Sequence, residues 1–137
     1  MGRLHFAITP YLSQVKEIGN MTQKELFDKI SRQSTVTQMQ EYIDQVVKLR
    51  GFDNQPIGEV MLLLTEEVGE LAKAIRKTDT KMSMDVDNMQ NFDTVESEVA
   101  DVFFVLLAIC NQMNINLFDA LKEKEKSNLA RNWTFDR

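Results

Sequence analysis

Every long segment of this chain repeats its apolar residues at close to 3.6 positions, and almost nothing alternates with a period of two. That spacing gathers apolar side chains on one stripe of a helix and leaves no half-buried strand from which to build a sheet. Only five Gly and two Pro interrupt the 137 residues, and there is no internal repeat or low-complexity stretch. The chain is predicted to be all-α, a four-helix-bundle-like core behind a short helical N-terminal arm.

Helix boundaries follow from cap chemistry. Tyr11, Leu12, Val15 and Ile18 form a first short pattern, opened by Thr9-Pro10 and closed by Gly19, with proline at the start and glycine at the end as helices favour. A second follows Thr22, where Glu25 completes a capping box and Leu26, Phe27 and Ile30 supply the apolar side. A third runs from about Val36 to Arg50 and stops at Gly51. The fourth spans about Pro56 to Lys77, the fifth starts after Asp93 and reaches about Asn114, and the last runs from Leu117, behind the cap Asn116, to about Arg131. Residues 1–35 are read as the arm and 36–137 as the core, within a single domain overall.

Composition then removes most catalytic options. There is one His (His5) and one Cys (Cys110), against 21 Asp plus Glu and 16 Lys plus Arg. One Cys cannot close an intramolecular disulfide, and one of each cannot hold a structural zinc. A histidine-assisted nucleophile would depend on His5 alone. The net charge of −5 argues against a nucleic-acid polymer as partner, since binding one needs a basic stripe. The longest unbroken apolar run, Val102 to Cys110, is too short to cross a bilayer. MGRLHFAITP lacks the apolar stretch of a secretion signal. The expectation is a cytoplasmic protein that does not engage a membrane, with Cys110 as inert packing in an apolar stripe.

Between Lys77 and Asp93 the sequence TDTKMSMDVDNMQNF is polar, without clear period, and reads as a loop; Met82, Met84 and Met89 make it either a flexible lid or a plain connection. Asp85, Asp87, Asn91, Asp93 and Glu96 echo a calcium-binding EF-hand loop. Met89, however, stands where an oxygen ligand belongs, and Gln90 replaces the glycine of the turn. The better reading makes Asp93 the cap of the next helix, with Glu96 closing a capping box.

The carboxylates that cannot be read as a simply solvated face lie on the two central helices. At about 100° per residue, Ile57, Val60, Met61, Leu64, Val68, Leu71, Ala72 and Ile75 form one stripe that must face a core. Glu66 and Glu70 lie on the far side with Leu62 and Leu63, and Glu67 lies between the two. Acids at that spacing repel one another. On the next helix Val95, Val99, Val102, Phe103, Leu106, Cys110 and Met113 form the main stripe, and Glu98 and Asp101 share another side with Val105. From Val99 to Cys110 Asp101 is the one polar residue. A helix apolar all round is buried, so Asp101 is expected to be buried, which an ionised carboxylate tolerates only when paired, hydrogen-bonded or bound to a cation. Few cations are near: Lys73, Arg76 and Lys77 follow the first group, and none lies between Val86 and Gln112. Convergence of Glu66, Glu67, Glu70, Glu98 and Asp101 around a hard divalent ion, Mg²⁺ or Mn²⁺, relieves the repulsion. A ferritin-like di-iron site needs Glu-x-x-His on two helices, and no helix offers that histidine.

With these residues in view, the sequence resembles the MazG-like, all-α nucleoside triphosphate pyrophosphohydrolases. The family pairs E-E-x-x-E on one helix with E-x-x-D on the next, matched by Glu66-Glu67-Val68-Gly69-Glu70 and Glu98-Val99-Ala100-Asp101. A lysine, an asparagine four on and an arginine three further appear as Lys124, Asn128 and Arg131. The likeness covers about Val36 to Trp133; the arm before it has no counterpart in the minimal family domain. The resemblance implies cleavage of a nucleoside triphosphate between the α and β phosphates, giving monophosphate and pyrophosphate, with Mg²⁺ as cofactor and Mn²⁺ as substitute. It implies Glu66, Glu70, Glu98 and Asp101 as metal ligands, Glu67 as the acid that orients or deprotonates water, and a homodimer or homotetramer.

Lys124, Asn128 and Arg131 are expected on one stripe of the last helix, at spacings of four and three. Arg131 can grip a phosphate with its fork and Lys124 can act as a point charge; the competing reading has them pairing with Glu123, Glu125 or Asp119 on the surface. Trp133 or Phe52 can stack on a base or serve packing. Gly69 is expected to permit close helix approach, since a mid-helix glycine otherwise costs about 1 kcal/mol. Apolar residues on more than one side of the helices predict oligomerisation. The reading from another class is a non-catalytic helical module that dimerises or binds a partner.

Overall fold

The computed structural model of the protein describes residues 21–83 and 93–134. Among the described residues there are five helices and no strand: α1 (Gln23–Asp28), α2 (Val36–Leu49), α3 (Ile57–Asp79), α4 (Val95–Gln112) and α5 (Leu117–Asn128). The all-α expectation holds, and all four helices foreseen from Val36 onward are present. The pattern from Thr9 to Gly19, His5 and the loop positions Met84, Asp85, Asp87, Met89 and Asn91 lie outside the described residues.

Local chemistry sets the boundaries. At α1 the Thr22 hydroxyl accepts from the Glu25 N–H at 3.2 Å while the Glu25 carboxylate accepts from the Thr22 N–H at 2.7 Å. Thr35 and Gln38 make the same reciprocal pair at α2. α2 ends as expected at Gly51, whose φ of 77° lets its own N–H reach Lys48 O and that of Phe52 reach Val47 O; this left-handed position favours glycine. α3 continues two residues past the expected Lys77. The cap of α4 is Thr94, not Asp93: Thr94 is the last extended residue, and its hydroxyl accepts from the Ser97 N–H at 3.2 Å. Asn114, with φ 58°, turns the chain after α4, and Asn116 caps α5 by accepting from the Asp119 N–H.

α4 is the central helix. α3 packs along it, α2 packs on it as well, α1 sits on α2, and α5 rests mainly on α2. The Gln112 amide donates to the carbonyl of Gln55 at 2.6 Å, so the start of α3 lies beside the end of α4 and the two run antiparallel. The core is Leu26, Ile43, Val46, Val60, Ala74, Leu107 and Cys110. Cys110 is a buried free thiol, and burial pushes its pKa up, as suits inert packing.

One buried polar group has no counterpart among the sequence expectations. Gln40, fully enclosed, donates to Asn111 Oδ1 at 3.1 Å and to the carbonyl of Ile115 at 2.8 Å, and accepts from the Leu117 N–H at 2.8 Å. It therefore holds the α4–α5 connection and the first turn of α5 against α2. From there α5 leaves α4 at 94°. No single helix among the described residues is long and apolar enough to cross a membrane.

The α3 stripe is divided. Val60 is buried, with Leu64 and Leu71 half-buried and Ala74 sealed beside them, while Met61, Val68 and Ile75 are exposed. Within one chain that stripe faces the core along one edge only. Gly69 does not mediate a close approach, because a Cβ there would meet nothing within 4 Å.

Candidate metal and nucleotide site

α3 and α4 bring three acids together. One carboxylate oxygen from each of Glu67, Glu98 and Asp101 lies within 4.8 Å of the other two. The antiparallel seam explains the meeting: Glu67 lies near the middle of α3, opposite the early turns of α4 that carry Glu98 and Asp101.

Burial within the group differs from the sequence expectation. Glu98 is the enclosed member at 5% exposure, Glu67 is half-buried, and Asp101 is exposed. The apolar surround of Asp101 does not enclose it, because Val99 and Phe103 beside it are themselves exposed in the single chain. Burial pushes the Glu67 carboxyl above its ordinary pKa, and the negative charges of Asp101, Glu98, Glu66 and Glu70 push it further. Glu98 is raised by burial first, then by Asp93, Asp101 and Glu70, with Lys73 opposing. Three carboxylates so close, two of them resisting ionisation, make a site where positive charge is strongly favoured. The donors are all hard oxygens, which suits Mg²⁺ or Mn²⁺.

The other two acids of the motif stand at the margin. Glu66 is exposed and outside the group of three. Glu70 leans toward Lys73, with 3.6 Å between Oε2 and Nζ on side chains that are both well exposed, a contact weak enough to exchange for another partner.

The basic tail is placed differently from the expectation of a single helical stripe. Lys124 and Asn128 share a face of α5, but the helix ends at Asn128 with Leu129 as its cap, so Arg131 lies beyond it. Lys124 and Arg131 are exposed, and neither pairs with a carboxylate among the described residues. The Asn128 side-chain amide donates to Glu125 at 2.8 Å, and the Trp133 indole donates to the Asn128 carbonyl at 3.4 Å. Trp133 is 65% exposed and Phe52 is exposed as well. The fold of one chain does not bring Lys124, Asn128 or Arg131 into the acid group.

The family profile of the MazG nucleotide pyrophosphohydrolase domain matches residues 55–130, a span that begins just before α3 and takes in both acidic motifs, Lys124 and Asn128. No curated protein and no solved structure gives a significant match.

Proposed function

The chain belongs to the MazG nucleotide pyrophosphohydrolase family, and on that premise we propose that it hydrolyses (deoxy)nucleoside triphosphates to the monophosphate and pyrophosphate, with Mg²⁺ as the working ion and Mn²⁺ as a substitute. The observation that carries this reading is the group of Glu67, Glu98 and Asp101 inside the matched span. Glu67 and Glu98 resist ionisation in this group, which is costly to the fold, and cations arriving with a substrate relieve that cost.

In this reading Glu66, Glu70, Glu98 and Asp101 hold divalent ions. Divalent ions held by these carboxylates would offset the charge of the triphosphate and lower the pKa of water. Glu67 orients that water and takes its proton; burial and the neighbouring acids raise its pKa, which makes it a stronger base than an ordinary carboxylate. The bond that breaks joins the α-phosphorus to the bridging oxygen, and pyrophosphate departs. Lys124, Asn128 and Arg131 grip the phosphates. The chemistry calls for neither a histidine nor a cysteine.

The exposed apolar edge of α3, Met61, Val68 and Ile75, together with Val99 and Phe103 of α4, supports a homodimer or homotetramer, since stripes of this kind normally find a partner. Residues 1–35 form the arm of this assembly and 36–137 its core. A cytoplasmic role in nucleotide-pool house-cleaning fits an enzyme whose substrate is a free nucleotide.

Incubation with a panel of deoxynucleoside and ribonucleoside triphosphates and Mg²⁺, with and without chelator, tests the proposal. Chelator-sensitive release of monophosphate and pyrophosphate in equal amounts is expected. Release of no monophosphate from any triphosphate would leave the chain a helical binding module without this activity.

A further inference from the structure

Cations follow the acids along α3. Glu67, Glu70, Lys73 and Lys77 succeed one another at spacings of three, three and four, so they climb one side of the helix. Because α3 and α4 run antiparallel, advancing along α3 from Glu67 leads toward the start of α4, whose first turn carries Glu98. Lys73, six residues or about 9 Å beyond Glu67, therefore stands at that end of the acid group. The next residue, Ala74, is sealed in the core, so the Lys73 backbone is fixed at the seam while its side chain is 37% exposed.

Two observations give Lys73 a task. Its Nζ lies 3.6 Å from Glu70 Oε2, longer than the about 2.7–2.9 Å of a charge-assisted hydrogen bond but near enough for attraction. Its charge also reaches α4: burial above all raises the Glu98 carboxyl, and the charge opposing that rise is Lys73. Lys77 is drawn to Glu70 too, but burial first, and then the charges of Lys73 and Arg76, work against its protonated form, and it stands one turn further from the acids. The Lys73 ammonium rides on a flexible four-carbon stem, and a half-exposed contact of this length restrains it weakly.

Three carboxylates within 4.8 Å of one another call for positive charge, and in the metal-free chain Lys73 supplies part of it. A divalent ion seated among Glu67, Glu98 and Asp101 supplies more and repels the ammonium, so the two compete for the same carboxylates.

We propose that Lys73 is the internal counter-ion of the acid group: it screens the carboxylates while no ion is bound, gives way when a divalent ion enters, and so sets the ion concentration at which the site fills. The proposal rests on the metal-dependent hydrolase reading above and deepens it, naming a residue that tunes ion affinity from outside the ligand set.

Mn²⁺ binding, followed by loss of the free-ion electron paramagnetic resonance signal in mildly alkaline buffer where the acids are ionised, tests it. Lys73→Met removes the charge and keeps the apolar stem, so circular dichroism should show unchanged helix content. It should bind Mn²⁺ about two- to fivefold more tightly than the unmodified chain, the range a partly exposed ion pair contributes. Lys73→Arg keeps the charge and should bind as the unmodified chain does. Lys81→Met, which removes an exposed charge eleven residues past Glu70, should also bind unchanged, separating Lys73 from a general effect of net charge. In the unmodified chain, trace acetylation read by peptide mass should modify Lys73 faster once Mg²⁺ is added. Unchanged or weaker Mn²⁺ affinity in Lys73→Met, an equal gain in Lys81→Met, or a Lys73 amine indifferent to Mg²⁺ would each overturn the proposal, while the hydrolase reading stands if the unmodified protein still releases monophosphate. Tightened binding in a protein that hydrolyses no triphosphate would sink the hydrolase reading and keep the counter-ion. An unmodified chain that binds no Mn²⁺ would sink both.

Discussion

Gln40 and Asn111 exchange hydrogen bonds in both directions across the α2–α4 interface: the Gln40 amide donates to Asn111 Oδ1 at 3.1 Å, and the Asn111 amide donates to the Gln40 carbonyl at 2.8 Å. The same Gln40 side chain also serves Ile115 and Leu117, so one enclosed residue sets where α5 begins. Gln40→Ala removes the side chain and with it one hydrogen bond each of the Ile115 carbonyl, the Leu117 N–H and Asn111 Oδ1. Each unmet buried group costs about 1–3 kcal/mol, and a total loss of about 3 kcal/mol is expected by chemical denaturation. A loss below about 1 kcal/mol would mean that water replaces the amide and that the clasp does not order α5.

Glu67 and Glu98 belong to one acid group but have separable tasks. Glu67→Gln removes the proposed base and keeps the oxygen donors of Glu98 and Asp101, so kcat should fall about a hundredfold or more while Mg²⁺ still raises the melting temperature. Glu98→Gln removes a charge from the enclosed position. The metal-free protein should then melt higher than the unmodified one, and the stabilisation by Mg²⁺ should shrink or vanish. Thermal scans with and without Mg²⁺ check both; an undiminished Mg²⁺ shift in Glu98→Gln would remove Glu98 from the ligand set.

The raised carboxyls also predict a pH dependence of the metal-free fold. Both Glu67 and Glu98 titrate above the ordinary 4.5 in the folded chain. The folded state then binds protons more tightly than the unfolded one, so their contribution to stability is fully present below 4.5 and is lost as pH rises through the folded values. Glu25 works in the opposite sense, its carboxyl held low by hydrogen bonds from Thr22, so the difference between two proteins is the quantity to follow. In chelator, the stability advantage of Glu67→Gln/Glu98→Gln over the unmodified chain should grow as pH rises above about 4.5 and then level off. Denaturation series at several pH values measure it, and an advantage independent of pH would contradict raised carboxyls.

What is legible in the sequence is whatever is local. Capping boxes act over three residues and apolar stripes over one or two turns, so Thr22–Glu25, Gly51 and Asn116 follow from spacing alone. Asp93 imitates the α4 cap because Glu96 stands three residues after it, as a capping box requires; which of two adjacent cap-competent residues is the last extended one depends on how the chain arrives. The acids are legible in part: five carboxylates in apolar company repel one another unless a cation joins them, and the fold gathers Glu67, Glu98 and Asp101 but leaves Glu66 and Glu70 at the margin. Their burial is not: which face of α4 is covered depends on α2 and α3, and the enclosed acid is Glu98, with Asp101 outside. The one local sign of Gln40 is a lone amide within the apolar series Val36, Met39, Ile43 and Val46. Its partners lie more than seventy residues away, a distance over which periodicity says nothing.

Met61, Val68 and Ile75 recur at seven-residue intervals along the outer edge of α3, exposed by 52%, 48% and 41%. Such a repeat keeps one face of a helix directed at a partner. Met61 lies six residues, about 9 Å along the helix, from Glu67, so Met61→Lys tests the partner without touching the site. The side chain already meets solvent in one chain, and a lysine there keeps its stem on the surface with its charge in water, so helix content should be unchanged. In the assembly the same charge is forced into an apolar contact, which costs far more than a solvated surface change. Light scattering coupled to size exclusion should show the assembly reduced toward the single chain. The melting temperature should fall most at low protein concentration, where mass action no longer supports the pairing. An unchanged mass would show that this edge of α3 is not where copies meet.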